Sequence, residues 1–193
     1  MSNQTSQLVP TPGQTVGPFY GYALPFEKDN ELLAPGSPGS IRLQGTVYDG
    51  AGHTIPDAIL EIWQPDAEGN VVQRTGSLVR DGYTFTGWGR GAVGNSGVFT
   101  FTTVNPGPTK QIPGKPAAAP FISVALFARG LTNRLFTRIY LPEDTEALAN
   151  DPLLSSLDPE RRKTLIARRD ADGGLTWDIR LQGEGETVFL DFQ

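Results

Sequence analysis

The chain has 193 residues, 38% of them hydrophobic, with 23 glycines and 16 prolines. That is enough chain to bury one core, in a composition that suits short strands and structured loops and excludes long helices or a charge-rich disordered segment. A net charge of −5 without a basic stripe argues against a nucleic-acid partner, and zero cysteines excludes disulfides, thiolate nucleophiles and cysteine-type zinc sites. No apolar run approaches the length of a membrane span and MSNQTSQ is no signal peptide, so the expectation is a soluble, cytoplasmic protein.

Residues 1–40 read as an extended, loop-rich arm. Pro10, Pro12, Pro18, Pro25, Pro35 and Pro38 bar regular helix over most of it. Val16, Phe19, Tyr20, Tyr22, Leu24 and Phe26 nevertheless make it too apolar for a solvated tail. Such a segment lies along a surface, either that of its own domain or that of a partner. From Arg42 to Tyr48 the sequence alternates, with Ile41, Leu43, Gly45 and Val47 on one face and the polar residues on the other, which is the period of a half-buried strand. A tight turn at 49–52 leads to a second strand, Ala58–Trp63. The two read as a pair that seeds the rest of the packing, with Trp63 as a large anchor. His53, in the intervening turn, reads as a surface residue. As the only histidine it rules out a two-histidine facial triad within this chain, and no G-x-S-x-G elbow accompanies it.

Residues 70–74 read as a short strand and Thr75–Gly97 as a long glycine-rich connection ordered by Tyr83, Phe85 and Trp88. Val98–Val104 alternates, with Phe99 and Phe101 on one face. Phe121–Ala128 is nearly all apolar and suits the centre of a sheet, with Leu135–Leu141 as its hairpin partner. Asp151-Pro152 and Asp158-Pro159 each read as an N-cap followed by proline at the first helical position. They predict a helical excursion near 151–169, its second helix running through PERRKTLIARR. Thr176–Gln182 and Thr187–Phe192 read as closing strands around a turn at 183–186. The fold class is therefore mainly β: one domain over 1–193, an antiparallel β-sandwich at 41–193 preceded by the arm.

Few residues suggest chemistry by themselves. GEGET lacks the lysine of a phosphate loop and leads into a strand, so it reads as a turn, and Glu184 and Glu186 as solvated. The basic residues at 161–169 sit beside Glu160, Asp170 and Asp172 and read as a solvated face. Arg129 directly follows an apolar strand and precedes Gly130. It suits either a guanidinium that pairs a carboxylate beside a pocket or an ordinary surface arginine.

The stretch LQGTVYDGAGHTIPDAILEIWQPDAEG resembles the signature of intradiol ring-cleavage dioxygenases. The resemblance continues through GRGAVGNSGVFTFTTVNPGP, APFISVALFARGL, LFTRIYLPED and LQGEGETVFLDF, with TPGQTVGPFY at the start. FARGL and the QGEGETVF-x-DF tail resemble the alpha type of chain, which in this family pairs with a homologous beta subunit. The resemblance implies Fe(III) held in that beta subunit by two tyrosines and two histidines, and no metal and no catalytic group in this chain. Thr109 stands in place of one tyrosine, Phe121 and Ser123 replace both histidines, and the other tyrosine falls near Ser77. For this chain the resemblance implies a substrate-binding wall at the alpha–beta interface. Its parts are Thr15, Gly17, Pro18 and Phe19 of the arm, with Arg129 at the pocket mouth to attract the substrate's carboxylate. Phe19 stands where the family often has tyrosine. The implied reaction inserts both atoms of O2 into 3,4-dihydroxybenzoate to give 3-carboxy-cis,cis-muconate, across a large obligate interface in a symmetric alpha–beta oligomer. The rival expectation is a non-enzymatic β-sandwich binding or carrier module that kept the fold and lost the iron.

Overall fold

The computed structural model describes residues 11–72, 80–111, 113–114 and 117–192. Strand β1 (Ser40–Tyr48) buries Leu43, Gly45 and Val47 and leaves Arg42 exposed, as its alternation predicts. Its partner is not the next strand, β2 (Ile59–Trp63). The chain reverses locally, with the Ile55 N–H bonded to the Val47 carbonyl, and then crosses to the opposite sheet. The expected pairing of β1 with β2 is thereby corrected. Leu60 and Ile62 are needed in a facing layer, where they meet the inward residues of β1 across the core instead of lying beside them. Trp63 is no core anchor either, being 55% exposed at the end of β2.

One sheet carries β1 against β4 (Val98–Val104) on one edge, antiparallel, and against β8 (Leu175–Thr176) and β9 (Ile179–Arg180) on the other, parallel. A two-residue β7 (Arg168–Arg169) pairs with β8. The second sheet runs β3 (Trp88–Ala92), β2, β5 (Phe121–Phe127), β6 (Leu135–Tyr140), all antiparallel. The expected sandwich is present, mainly antiparallel, with parallel pairing only where the C-terminal segment joins β1. β5 is interior by its pairing, and β6 is its hairpin partner.

Leu43, Phe99 and Phe101 from the first sheet and Leu60, Ile122 and Leu126 from the second are each at most 1% exposed within one continuous core. Burying each such side chain contributes roughly 1.5–3 kcal/mol. Gly45 fits this geometry because the chain passes over it: a Cβ there would lie 1.7 Å from the Trp177 carbonyl oxygen. The segment 177–178 breaks the closing strand into β8 and β9. The Asp178 carboxylate takes the Thr46 N–H at 2.9 Å in place of a ladder carbonyl. Residues 187–192, expected as a strand, make only a bridge from Leu190 to Phe136.

β3 falls inside what the sequence presented as a loop. WGRGA has weak strand propensity, but its small residues are required there, since Phe101 of the facing sheet lies against Gly91 and Leu32 against Gly89. Residues 70–72 are irregular, and the remainder of the strand expected at 70–74 lies outside the described residues.

The helical excursion begins earlier and is more broken than expected. It comprises α2 (Thr145–Asn150), α3 (Pro152–Ser155) and α4 (Pro159–Lys163), besides the single turn α1 (Tyr20–Ala23) in the arm. Both prolines occupy first-turn positions, but only Asp151 caps with its side chain. PERRKTLIARR does not continue as helix. Leu165 and Ala167 exchange backbone hydrogen bonds with Tyr140, which draws Leu165 into a second small core with Leu148, Leu154 and Val188, while Ala167 joins the main core.

Asp151 joins this excursion to the sandwich. Fully buried, its carboxylate accepts from Ala119 N, Tyr140 Oη, Leu153 N and Leu154 N at 2.9–3.1 Å. Asp151→Ala leaves those donors unpaired in a dry site and should cost about 3 kcal/mol or more. Urea denaturation of the isolated chain checks this, and an unchanged midpoint would remove Asp151 from its structural role.

Candidate functional site

The arm is fastened to the second sheet at several points. Phe26 stacks on Trp88 with ring centroids 6.2 Å apart, and Arg90, paired with Glu61 at 2.7 Å, donates to the Leu24 carbonyl at 2.6 Å. Leu32 enters the core, and Asn30 and Leu32 exchange backbone hydrogen bonds with Thr102 of β4. Nearer the N-terminus, Tyr20 is 8% exposed. Its hydroxyl contacts the backbone carbonyl of Asp57 and lies 3.3 Å from that of Phe127. Burial first, then the Asp57 charge, pushes the Tyr20 phenol up to about 12, so it stays protonated and available as a donor at neutral pH.

This peg brings the expected site residues of the arm to the end of β5. Thr15 accepts from the Gly130 N–H at 2.8 Å, directly beside Arg129. Gly17 adopts φ +72°, a conformation that side-chain-bearing residues rarely take, and so the arm turns here with bare backbone outward. Pro18 and Phe19 follow on the exposed surface, Phe19 at 78%. Between the arm and the loop after β5 opens a cleft of about 410 Å³, lined by Gln14, Val16, Phe127, Leu131, Thr132 and Arg134. The Arg129 side chain is 56% exposed, and its Nε lies 3.1 Å from Asp57 Oδ2.

Asp57 and Tyr20 are the members that sequence reasoning did not assign to the site. The signal for Asp57 was local, a Pro-Asp turn before β2, and nothing in it pointed to an arginine 72 positions later. Thr15 and Arg129 are brought together through Gly130. Pro18 and Phe19 are placed on the same arm, on its exposed surface.

A second cavity, about 210 Å³, lies at the opposite end of β5. Thr109, Phe121 and Ser123 all line it, together with Trp63, Gln64 and Val72. The three positions matched by resemblance to metal ligands thus converge, while Ser77 lies outside the described residues. The side chains do not fit a ferric ion. Phenylalanine has no donor atom, and serine and threonine hydroxyls hold their protons near neutrality. The Gln64 amide is already committed to Val104 O, Pro65 O and Thr103 Oγ1. Among the described residues, no group of three or more His, Cys, Asp or Glu side chains is placed to hold a metal, and no helix is long and apolar enough to cross a membrane. What the arrangement offers is an anion-attracting guanidinium on a rigid rim, beside a wall of backbone and proline.

Comparison with known proteins supports a family assignment. The family model described as "Dioxygenase" matches residues 15–183. The protocatechuate 3,4-dioxygenase alpha chain of Pseudomonas putida is 42% identical, over 96% of this chain and 98% of its own length. The protocatechuate 3,4-dioxygenase beta chain of Burkholderia cepacia is 30% identical over 76% of this chain and 66% of its own length. Among solved structures, the dioxygenase domain of a carbohydrate-binding fusion from Streptomyces sp. SirexAA-E superposes with a TM-score of 0.53 at 26% identity, covering 91% of this chain and 99% of that one.

The raised phenol gives a pH window. Below the ordinary tyrosine pKa of about 10 both folded and unfolded chains keep the Tyr20 proton, and its contribution is complete. As pH rises from about 10 towards 12 the unfolded chain loses a proton that the folded chain retains, so stability falls. Tyr20→Phe should remove this part of the alkaline loss and speed proteolysis of the arm at neutral pH. Denaturation midpoints across that range, with limited proteolysis, check both.

Proposed function

The chain belongs to the intradiol ring-cleavage dioxygenase family, and from that premise we propose that it is the metal-free alpha half of an alpha–beta protocatechuate 3,4-dioxygenase. The complex inserts both atoms of O2 into 3,4-dihydroxybenzoate and opens the ring between the hydroxyls, giving 3-carboxy-cis,cis-muconate. The family's iron, which supplies the ring-opening chemistry, sits in the homologous beta subunit; none of the residues at the cavity of Thr109, Phe121 and Ser123 suits it. We place the complex in the cytoplasm, a chain without cysteine having no need of an oxidising compartment.

The observation that carries this reading is the pairing of a half-exposed Arg129 with an arm that displays apolar side chains outward. Phe19 and Tyr22 are 78% and 86% exposed, and Val16 and Leu24 are also exposed. Side chains of that kind in one short segment suit burial against another chain. In the complex, Thr15, Gly17, Pro18 and Phe19 form one wall of the substrate pocket. Bare backbone at Gly17 and the fixed ring of Pro18 let a flat aromatic molecule approach closely. Arg129 attracts and orients the carboxylate from the rim, while the wall excludes water and fixes the substrate's angle of entry. This chain moves no proton and donates no nucleophile. The whole chain acts as one domain in this reading, with 1–40 as the arm and the 151–169 region bracing the sandwich. The carrier-module alternative is not favoured, because similarity to an alpha chain extends over nearly the full length.

Expression of this chain alone and with a beta subunit, followed by metal analysis and O2 uptake on 3,4-dihydroxybenzoate, is the direct test. The expected result is an inert, iron-free chain alone and an iron-bearing, active complex. Iron and activity in the chain alone, or a chain that never joins the beta subunit, would overturn the reading. Within the complex, Arg129→Ala should raise KM for 3,4-dihydroxybenzoate about three- to tenfold with little change in kcat. A half-exposed contact operates in partly screened surroundings, which sets that modest scale.

A further inference from the structure

Arg129 stands at the end of β5 on a flexible stem, and an arginine so exposed ordinarily samples many rotamers at a cost to any anion it must bind. Here one neighbour limits that freedom. Asp57 reaches the guanidinium at Nε, 3.1 Å from Oδ2, while its own side chain is 22% exposed. Asp57 is itself held in place, because its backbone carbonyl receives the Tyr20 hydroxyl and the following residues Ala58 and Ile59 are buried at the start of β2. A guanidinium presents two edges that can each engage a carboxylate, one involving Nε and one formed by the two terminal nitrogens. Among the described residues no hydrogen bond engages the Arg129 guanidinium, so its contact with Asp57 is an ion pair on the Nε side, and the side chain remains 56% exposed.

We propose that Asp57 is a positioning residue for the pocket. Its charge holds Arg129 from the Nε side and thereby leaves the terminal fork for the carboxylate of an incoming aromatic acid. This rests on the reading of Arg129 given under Proposed function. Asp57 touches neither substrate nor reacting atoms, and its effect is to reduce the orientational freedom that binding would otherwise remove. The same contact makes the site selective. Positioning matters for an aromatic substrate that carries a carboxylate and is irrelevant to one that lacks it.

The test uses the assembled alpha–beta complex and compares Asp57→Ala, Asp57→Glu, Arg129→Ala and the double variant Asp57→Ala/Arg129→Ala. KM and kcat are measured for 3,4-dihydroxybenzoate and for catechol, which has no carboxylate. Asp57→Ala should raise KM for 3,4-dihydroxybenzoate roughly two- to fivefold, with kcat and both catechol constants unchanged. Asp57→Glu, which keeps a carboxylate charge beside the guanidinium, should restore most of the loss. The double variant should match Arg129→Ala alone. Asp57→Ser provides a second truncation compatible with the turn, should Asp57→Ala fail to assemble. The proposal falls if Asp57→Ala lowers KM, which would make Asp57 a competing counter-ion. It falls equally if Asp57→Glu is as impaired as Asp57→Ala, or if the catechol constants move in parallel, as a general structural tether would require. An Arg129→Ala complex with unchanged KM for 3,4-dihydroxybenzoate would instead sink the reading of Arg129 itself. A sensitive Arg129 with a silent Asp57 sinks only the positioning role.

Discussion

One phenol determines where the arm lies. The Tyr20 hydroxyl reaches the backbone carbonyls of Asp57, before β2, and Phe127, at the end of β5, from a side chain that is almost wholly buried. Everything proposed for the rim depends on that contact. It sets the height of Thr15 beside Gly130, fixes the loop that carries Asp57, and holds the apolar side chains of the arm on the outer surface instead of in the core. The aromatic layer of Phe26, Trp88 and Trp63, with Arg90 over the Trp88 ring, fastens the next part of the arm to the same sheet. The arm thus behaves as an outer layer of the second sheet, and only its leading edge is left for a partner.

The bracing at the other end of the sheet works through a chain of polar contacts. Asp151 binds the Tyr140 hydroxyl, which accepts from Arg138 at 3.2 Å, and Arg138 lies 4.0 Å over the Phe121 ring. Burial, only partly offset by Arg138, pushes the Tyr140 phenol up to about 12, so this link also remains protonated across the physiological range. The small helical region is thus linked through Tyr140 and Arg138 to the Phe121 ring on β5, the strand that leads to Arg129 at its other end.

Much of this was legible in the sequence, and the failures have physical causes. Period-two alternation located β1 and β4, a nearly continuous apolar run located β5 with β6 as its hairpin partner, and the Asp-Pro pairs located α3 and α4. What alternation cannot supply is a partner. β1 and β2 appeared as a pair because a tight turn joins them, whereas the need to face each other across a core sends them to different sheets. β3 was missed because its glycines are small to suit Phe101 and Leu32, a constraint that lies in other segments. The rim residues Thr15, Gly17, Pro18 and Phe19 came from family resemblance, while Arg129 stood out by its place after an apolar strand before the resemblance strengthened it. Asp57 was beyond reach, since an ion pair across 72 positions leaves no local pattern.

The parallel pairing of β1 with β8 and β9 bears on how the molecule is made. Gln44 meets Thr176 across 132 positions of chain, and the Asp178 carboxylate that completes the ladder at Thr46 comes later still. On the ribosome β4 can pair with β1 early, but the other edge of β1 stays open until nearly the whole polypeptide has emerged. During that interval a row of unpaired backbone groups is accessible to any neighbouring strand, including one from a second nascent chain. The late C-terminal segment, with Gly45 keeping a clear path beneath Trp177, acts as the closing piece of the first sheet, and a truncated product would leave that edge permanently open.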